Sequence, residues 1–244
     1  ITSGESPVCL NNESKLINCK ITNNYGHYGG VYASARCFLS NCSFSNNISS
    51  ANSVIHIDNN SKIEDSKIFN NEGINYEIVY IYNKSSMNRC EVYHNVVDNN
   101  HNIVNILYTS TLSNSLIYGN YNKKASSVPL RVANNSKMIN STFADNETGA
   151  RFALSLQNST ILNSIVVGNK FANTSNKYIE LSGTNSISYS MIEGGAAGEG
   201  NISGTKQMAA FTDPENGDYS LSEKSYCIDR GIETNDSLDL LGNH

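Results

Sequence analysis

A nine-residue pattern returns down most of the chain and limits the possible folds more than any other feature. It first appears as Leu16-Ile17-Asn18-Cys19-Lys20-Ile21-Thr22-Asn23-Asn24: apolar, any, Asn, small, any, apolar, any, any, Asn. It recurs from Leu39, Ile63, Met87, Leu112, Met138 and Ile161, and a degraded copy starts at Ile187. Successive starts lie about 23 to 26 residues apart, the period of stacked solenoid turns. Each repeat holds a second apolar pair with one residue between its members. These pairs are Val8/Leu10, Val31/Ala33, Ile55/Ile57, Val79/Ile81, Val104/Ile106, Leu130/Val132, Leu154/Leu156 and Ile179/Leu181. Strict alternation with β-branched residues specifies strand rather than helix.

The chain is therefore expected to be all-β: a single-stranded right-handed parallel β-helix of about eight coils over residues 8–192, with three parallel sheets around a filled interior. The hand follows from the strong preference of parallel crossovers. One turn reads as a longer strand at Ser53 to Asp58, a turn at Asn59-Asn60, a short strand around Ile63, a bend at Asp65, a third strand around Ile68 and a variable loop from Asn70. The sharp bends need residues that tolerate left-handed backbone, and Asn does so at low cost. Stacked Asn amides can also bond from coil to coil. One ladder is expected at Asn18, Asn41, Asp65, Arg89, Asn114, Asn140 and Asn163, and a second along Asn24 to Asn169.

At 244 residues, 39% hydrophobic and without Trp, the chain suits one thin elongated domain. A net charge of −5 disfavours nucleic acid as a partner. No apolar run reaches the ~20 residues of a membrane span. The short polar opening, Ile1 to Pro7, is expected to leave the first coil's edge uncovered, so the sequence reads as part of a longer chain. Of six cysteines, Cys19, Cys42 and Cys90 share the small-residue phase with Ser66, Ser115, Ser141, Ser164 and Ser190, a stack rather than a disulfide framework. Cys19 and Cys42 fall on neighbouring coils, but their parallel side chains do not aim at each other.

After Gly194-Gly195-Ala196-Ala197-Gly198-Glu199-Gly200 the repeat stops, dividing residues 1–204 from a segment at 205–244. Met208, Phe211, Tyr219, Leu221 and Ile228 in that segment are apolar enough to cap the last coil. The tail series Asp213-Pro214-Glu215-Asn216-Gly217-Asp218-Tyr219-Ser220-Leu221, Ser225-Tyr226-Cys227-Ile228-Asp229-Arg230-Gly231 and Asp239-Leu240-Leu241-Gly242-Asn243 resembles the C-terminal signature of right-handed β-helix surface proteins, the choice-of-anchor Q group among them. The further Gly-Ala-Tyr-Glu-like motif of that group is absent. Gly29-Gly30-Val31 and Phe44-Ser45-Asn46-Asn47 are similar to repeats of polymorphic outer-membrane proteins, and the architecture is that of the pectate-lyase-like superfamily. These resemblances imply an extracellular or cell-surface location and the fold, and no particular reaction.

In pectate-lyase-like proteins the site lies on the outer face of the long-strand sheet, and here alternation identifies the outward residues. Tyr32, His56, Asp58, Tyr80, Tyr82, Asn105 and Arg131 form the candidate ligand stripe. Tyrosines offer flat apolar faces to pyranose rings, and His, Asp, Asn and Arg supply directed hydrogen bonds. An ordinary exposed sheet face, rich in Tyr because Tyr suits strands, is the bland alternative. The expected partner is a polysaccharide or cell-surface glycan, bound without turnover. A lyase with Tyr80 or His56 as base and Arg131 neutralising a uronate, a glycoside hydrolase, and a structural spacer are the alternatives. Hydrolysis commonly requires carboxylates about 5 to 9.5 Å apart, whereas Asp58 and Glu180 lie about five coils apart, on the order of 24 Å.

No catalytic residue is assigned. No metal site is expected: His94, Asp98 and His101 read as a solvated loop, and no Cys-x-x-Cys pair exists. Asp213, Glu215 and Asp218 could hold Ca²⁺ weakly but lack the terminal Glu of an EF-hand, so no cofactor is implied. The many Asn-x-Ser/Thr triplets follow from an Asn- and Ser-rich composition.

Overall fold

The computed structural model describes residues 6–124, 127–172, 178–234 and 240. Residues 1–5 of the opening segment and most of the Leu238-to-Asn243 motif lie outside them. The first sheet stacks eight strands, from Val8–Leu10 through Ile55–Ile57 and Val79–Tyr82 to Ile179–Ser182. The second stacks eight, Lys15–Ile17 to Ser186–Ser188, and the third nine, Lys20–Thr22 to Ile202–Ser203. All pairings within these sheets are parallel. Ile57, Ile81 and Ile106 are ladder partners and fully buried, so the expected interior row is present.

The three expected sheets are present, and a fourth, six-stranded parallel sheet that was not expected runs from Tyr25–Gly26 to Glu147–Thr148. Its strands are two residues long and lie within the variable loop, too short to show an alternation. Gly30, entering the first sheet, is required by crowding, since a Cβ there would sit 2.6 Å from the Val54 carbonyl oxygen.

Polar columns pin the coils in register. In the buried column Asn47, Asn71, Asn95, Asn120, Asn146 and Asn169, each member before the last uses its amide three ways: it accepts from the coil before, donates to the next Asn and donates to a backbone carbonyl. Asn95 Oδ1 accepts the Asn71 backbone N–H and Nδ2, both at 2.9 Å. Asn95 Nδ2 donates to Asn120 Oδ1 at 3.0 Å and to the carbonyls of Ile68 and Tyr93 at 2.9 and 3.0 Å. These residues do not themselves take the left-handed conformation. The preceding residues do: Asn23, Asn46, Asn70, His94, Gly119, Asp145 and Gly168 have positive φ. In the other column, Asn18, Asn41, Asp65, Arg89, Asn114, Asn140 and Asn163 are left-handed as expected.

Serine does the same work as the buried Asn with one oxygen. Ser85 Oγ accepts the Ser61 N–H at 3.2 Å, Ser115 Oγ accepts the Cys90 N–H at 3.1 Å, and Ser141 Oγ accepts the Ser115 N–H at 3.2 Å. The small phase is therefore an acceptor phase, which size alone does not reveal. The third residue of Asn134-Asn135-Ser136 is buried for this reason. All six thiols are free, including Cys19 and Cys42.

The tail turns back along the stack. A one-turn helix, Lys206–Ala209, leads to an antiparallel pair, Phe211–Asp213 with Asp218–Leu221. Met208, Phe211, Tyr219 and Cys227 pack with Leu116, Tyr118, Ala144, Val167 and Met191 on the outer face of the third sheet. They cover a flank of the stack, while Leu181 in the last strand of the first sheet is 57% exposed. The outward row beneath explains the placement. It runs Phe69, Tyr93, Tyr118, Ala144, Val167, so small residues receive the tail where the stacked aromatic rings end.

Candidate functional site

The ladder of the first sheet puts Tyr32, His56, Tyr80, Asn105 and Arg131 in one outward row, each the direct partner of the next. Tyr82 lies in the adjacent outward row, two residues on from Tyr80, and Asp58 bears the same relation to His56. Ring centroids along the row are 5.0 Å apart for Tyr32 and His56 and 4.9 Å for His56 and Tyr80. Tyr82 stacks on Tyr80 at 5.6 Å. His56 Nε2 lies 3.5 Å from Asp58 Oδ2, which joins the two rows. All seven expected residues thus share one face, although Arg131 is three strands from His56, roughly 14 Å at strand spacing.

Burial sets the protonation of this row. Desolvation lowers the His56 pKa below its usual 6.5, more than Asp58 and Glu77 raise it, so the imidazole is neutral at pH 7. Burial, with help from the Glu77 carboxylate, pushes the Tyr80 phenol up to about 12. Tyr80 is therefore a hydroxyl donor at neutral pH, with a pKa shifted away from that of a general base.

Between the middle coils the row opens into a groove of about 360 Å³, lined by His56, Tyr80, Asn105 and Arg131 together with Asn52, Ser53, Tyr76, Glu77 and Leu107. Tyr76 and Glu77 come from the loop before the strand. No repeat position announces them, and the only sequence signal was an acidic residue directly before the Ile78-Val79 pair. Glu77 is buried and accepts from Asn105 Nδ2 at 3.0 Å, with His101 Nδ1 at 3.5 Å. Tyr76 stacks on His101 with centroids 4.7 Å apart. Asn105 Oδ1 is buried and has no hydrogen-bond partner among the described residues. Arg131 donates to Gln157 Oε1 at 3.0 Å.

A larger cleft of about 690 Å³ lies between the tail and the third sheet. Four of its charges are paired within it: Lys67 with Glu91 at 2.8 Å, and Asp145 with Lys206 at 2.7 Å, Asp145 also accepting from the Tyr219 hydroxyl at 2.6 Å. It reads as the seam that holds the tail. The loop residues His94, Asp98 and His101 go to different places: His94 to this cleft, Asp98 to Lys123, His101 to Tyr76. Asp213 and Asp218 are engaged within their own turn by Asn216 and Ser220.

No family model and no curated protein matches the chain, so the choice-of-anchor and pectate-lyase-like resemblances stand without a family assignment. Among solved structures the chain is similar to QnrB1, a plasmid-mediated fluoroquinolone resistance protein, at 9% identity over 71% of this chain and 91% of that one, with a TM-score of 0.27. It is also similar to HetL, a pentapeptide repeat protein involved in heterocyst differentiation regulation from a Nostoc cyanobacterium, at 12% identity over 89% and 93% of the two chains, with a TM-score of 0.21. At these TM-scores neither likeness bears on function. The parallel β-solenoid is established by the chain's own sheets.

Proposed function

We propose that the outer face of the first sheet is a binding surface for polysaccharide or cell-surface glycan, acting without turnover, on an exported protein. The observation that carries this reading is the continuous outward row Tyr32, His56, Tyr80, Asn105, Arg131, whose side chains the coil does not need and which opens into a groove. A groove of this size, with aromatic walls and a few directed polar groups, has the usual makeup of a small-ligand site. Export rests on the resemblance of the tail to surface β-helix proteins. A glycan-array screen of the wild type beside Tyr80→Ala/Arg131→Ala tests the reading. Specific binding lost in the double variant supports it, and binding that survives moves the site elsewhere. A polyuronate lyase would instead release unsaturated products that absorb in the ultraviolet.

A further inference from the structure

We infer that the groove recognises a neutral sugar unit through a vicinal diol held between Glu77 and Arg131, and discriminates against polyuronates. This rests on the glycan reading above and names its ligand class. A single fixed cation, Arg131, lines the groove, and the Glu77 carboxylate lines it too. Both act on the Tyr80 phenol, Glu77 raising its pKa and Arg131 lowering it, so both fields reach the same point of the groove. A uronate carboxylate brought to Arg131 would meet Glu77 as a like charge, and an amine brought to Glu77 would meet Arg131. Neither ion is matched by the pair.

A diol is matched by it. Each hydroxyl both donates and accepts, so one donates to the Glu77 carboxylate while its neighbour accepts from the guanidinium. The third group is Asn105. Its Nδ2 is committed to Glu77, which fixes the amide orientation and leaves Oδ1 pointing to no donor among the described residues. A buried acceptor without a partner is costly, and a sugar hydroxyl is the donor it lacks. Solvent does not reach that oxygen. A hydroxyl reaches it through a shift of the groove lining around Asn105, while Arg131, whose backbone is the ladder partner of Asn105 and whose side chain is bonded to Gln157, stays beside the diol. Leu107 and Tyr76 supply the apolar and aromatic walls for the C–H face of the ring.

Titration calorimetry of the full chain tests this with gluco-, manno- and galacto-oligosaccharides, their O-methylated counterparts, and oligogalacturonate. The expected result is binding of at least one neutral oligosaccharide, abolished by O-methylation, and tighter than that of oligogalacturonate. Glu77→Gln should weaken neutral binding about tenfold or more, the effect of removing a charged hydrogen-bond partner, and should strengthen oligogalacturonate binding. Arg131→Gln carries the test if Glu77→Gln fails to fold, and should weaken neutral binding to a similar extent. Preferential binding of oligogalacturonate by the wild type, or indifference to O-methylation, overturns the diol assignment while leaving a glycan site in place. Absence of binding by every saccharide overturns both.

Discussion

Replacing Asn95 by Ala tests whether the buried amide column holds the stack together. Asn95 is fully buried; its Oδ1 accepts two hydrogen bonds, and the two protons of its Nδ2 are shared among three acceptors. Truncation leaves the buried Asn71 backbone N–H without its acceptor, while Asn71 Nδ2 retains the carbonyls of Phe44 and Phe69. An orphaned buried group costs ~1–3 kcal/mol, and the bonds of the two Asn95 Nδ2 protons contribute about 1 kcal/mol net each, so a loss of ~3–5 kcal/mol is expected. For a chain of this size that corresponds to a fall in Tm of about 10 °C. Asn24→Ala is the control. Asn24 occupies the same column in the first coil, where its side chain donates to Thr22 O and Asn47 Oδ1 from a half-buried position, and its loss should cost under ~1 kcal/mol. Urea unfolding followed by circular dichroism compares the two. Equal losses would refute the reasoning, because the column would then add nothing beyond two ordinary surface bonds.

Three further outcomes are expected. Cys90→Ser should stabilise the protein by ~1 kcal/mol in the same urea assay, because Ser61, Ser85, Cys90 and Ser115 all donate N–H to a Ser Oγ of the next coil, whereas Ser66 meets the sulfur of Cys90; an unchanged midpoint would count against the acceptor role. Because the His56 pKa is lowered by folding, the unfolded chain binds more protons in that range, so its contribution is fully present above pH 6.5 and is lost as pH falls toward the folded value. His56→Gln should flatten that part of the stability profile, and an imidazole titrating at or above 6.5 by NMR would contradict the sign. Deleting residues 205–244 should leave the β spectrum intact but uncover Leu116, Tyr118, Ala144, Val167 and Met191, giving a rise in dye binding to exposed apolar surface that the full chain does not show.

The coil was legible in the sequence because its causes are periodic. Alternation identified the inward pairs, and the left-handed column at Asn18 to Asn163 followed from bends that only a few residue types tolerate. The fourth sheet was not legible, since a strand of two residues such as Glu72–Gly73 has no alternation. Glu77 escaped because loop residues owe their positions to tertiary packing, and nothing in the repeat says that its carboxylate returns to Asn105. The tail was expected at the end of the stack, where a solenoid needs cover. The apolar outward residues Tyr118, Ala144 and Val167 were the signal for the flank, and they stand out only when the third strand's outward positions are compared coil by coil.

The spacing of the polar columns determines where this protein can vary. Ser61, Ser66 and Asn71 are five residues apart, as are Ser110, Ser115 and Asn120, and Ser159, Ser164 and Asn169. Yet the buried amides recur at intervals of 24, 24, 25, 26 and 23 residues. All of that difference falls between an amide and the next serine, because a residue inserted between two columns would shift every acceptor off its N–H. Extra length in the loop costs only loop-closure entropy, well under ~1 kcal/mol per residue. These same loops carry Asn52, Tyr76 and Glu77 to the rim of the groove. The fold therefore separates an invariant frame from interchangeable rims, so that loop exchange can alter what the groove selects while the stack beneath keeps its register.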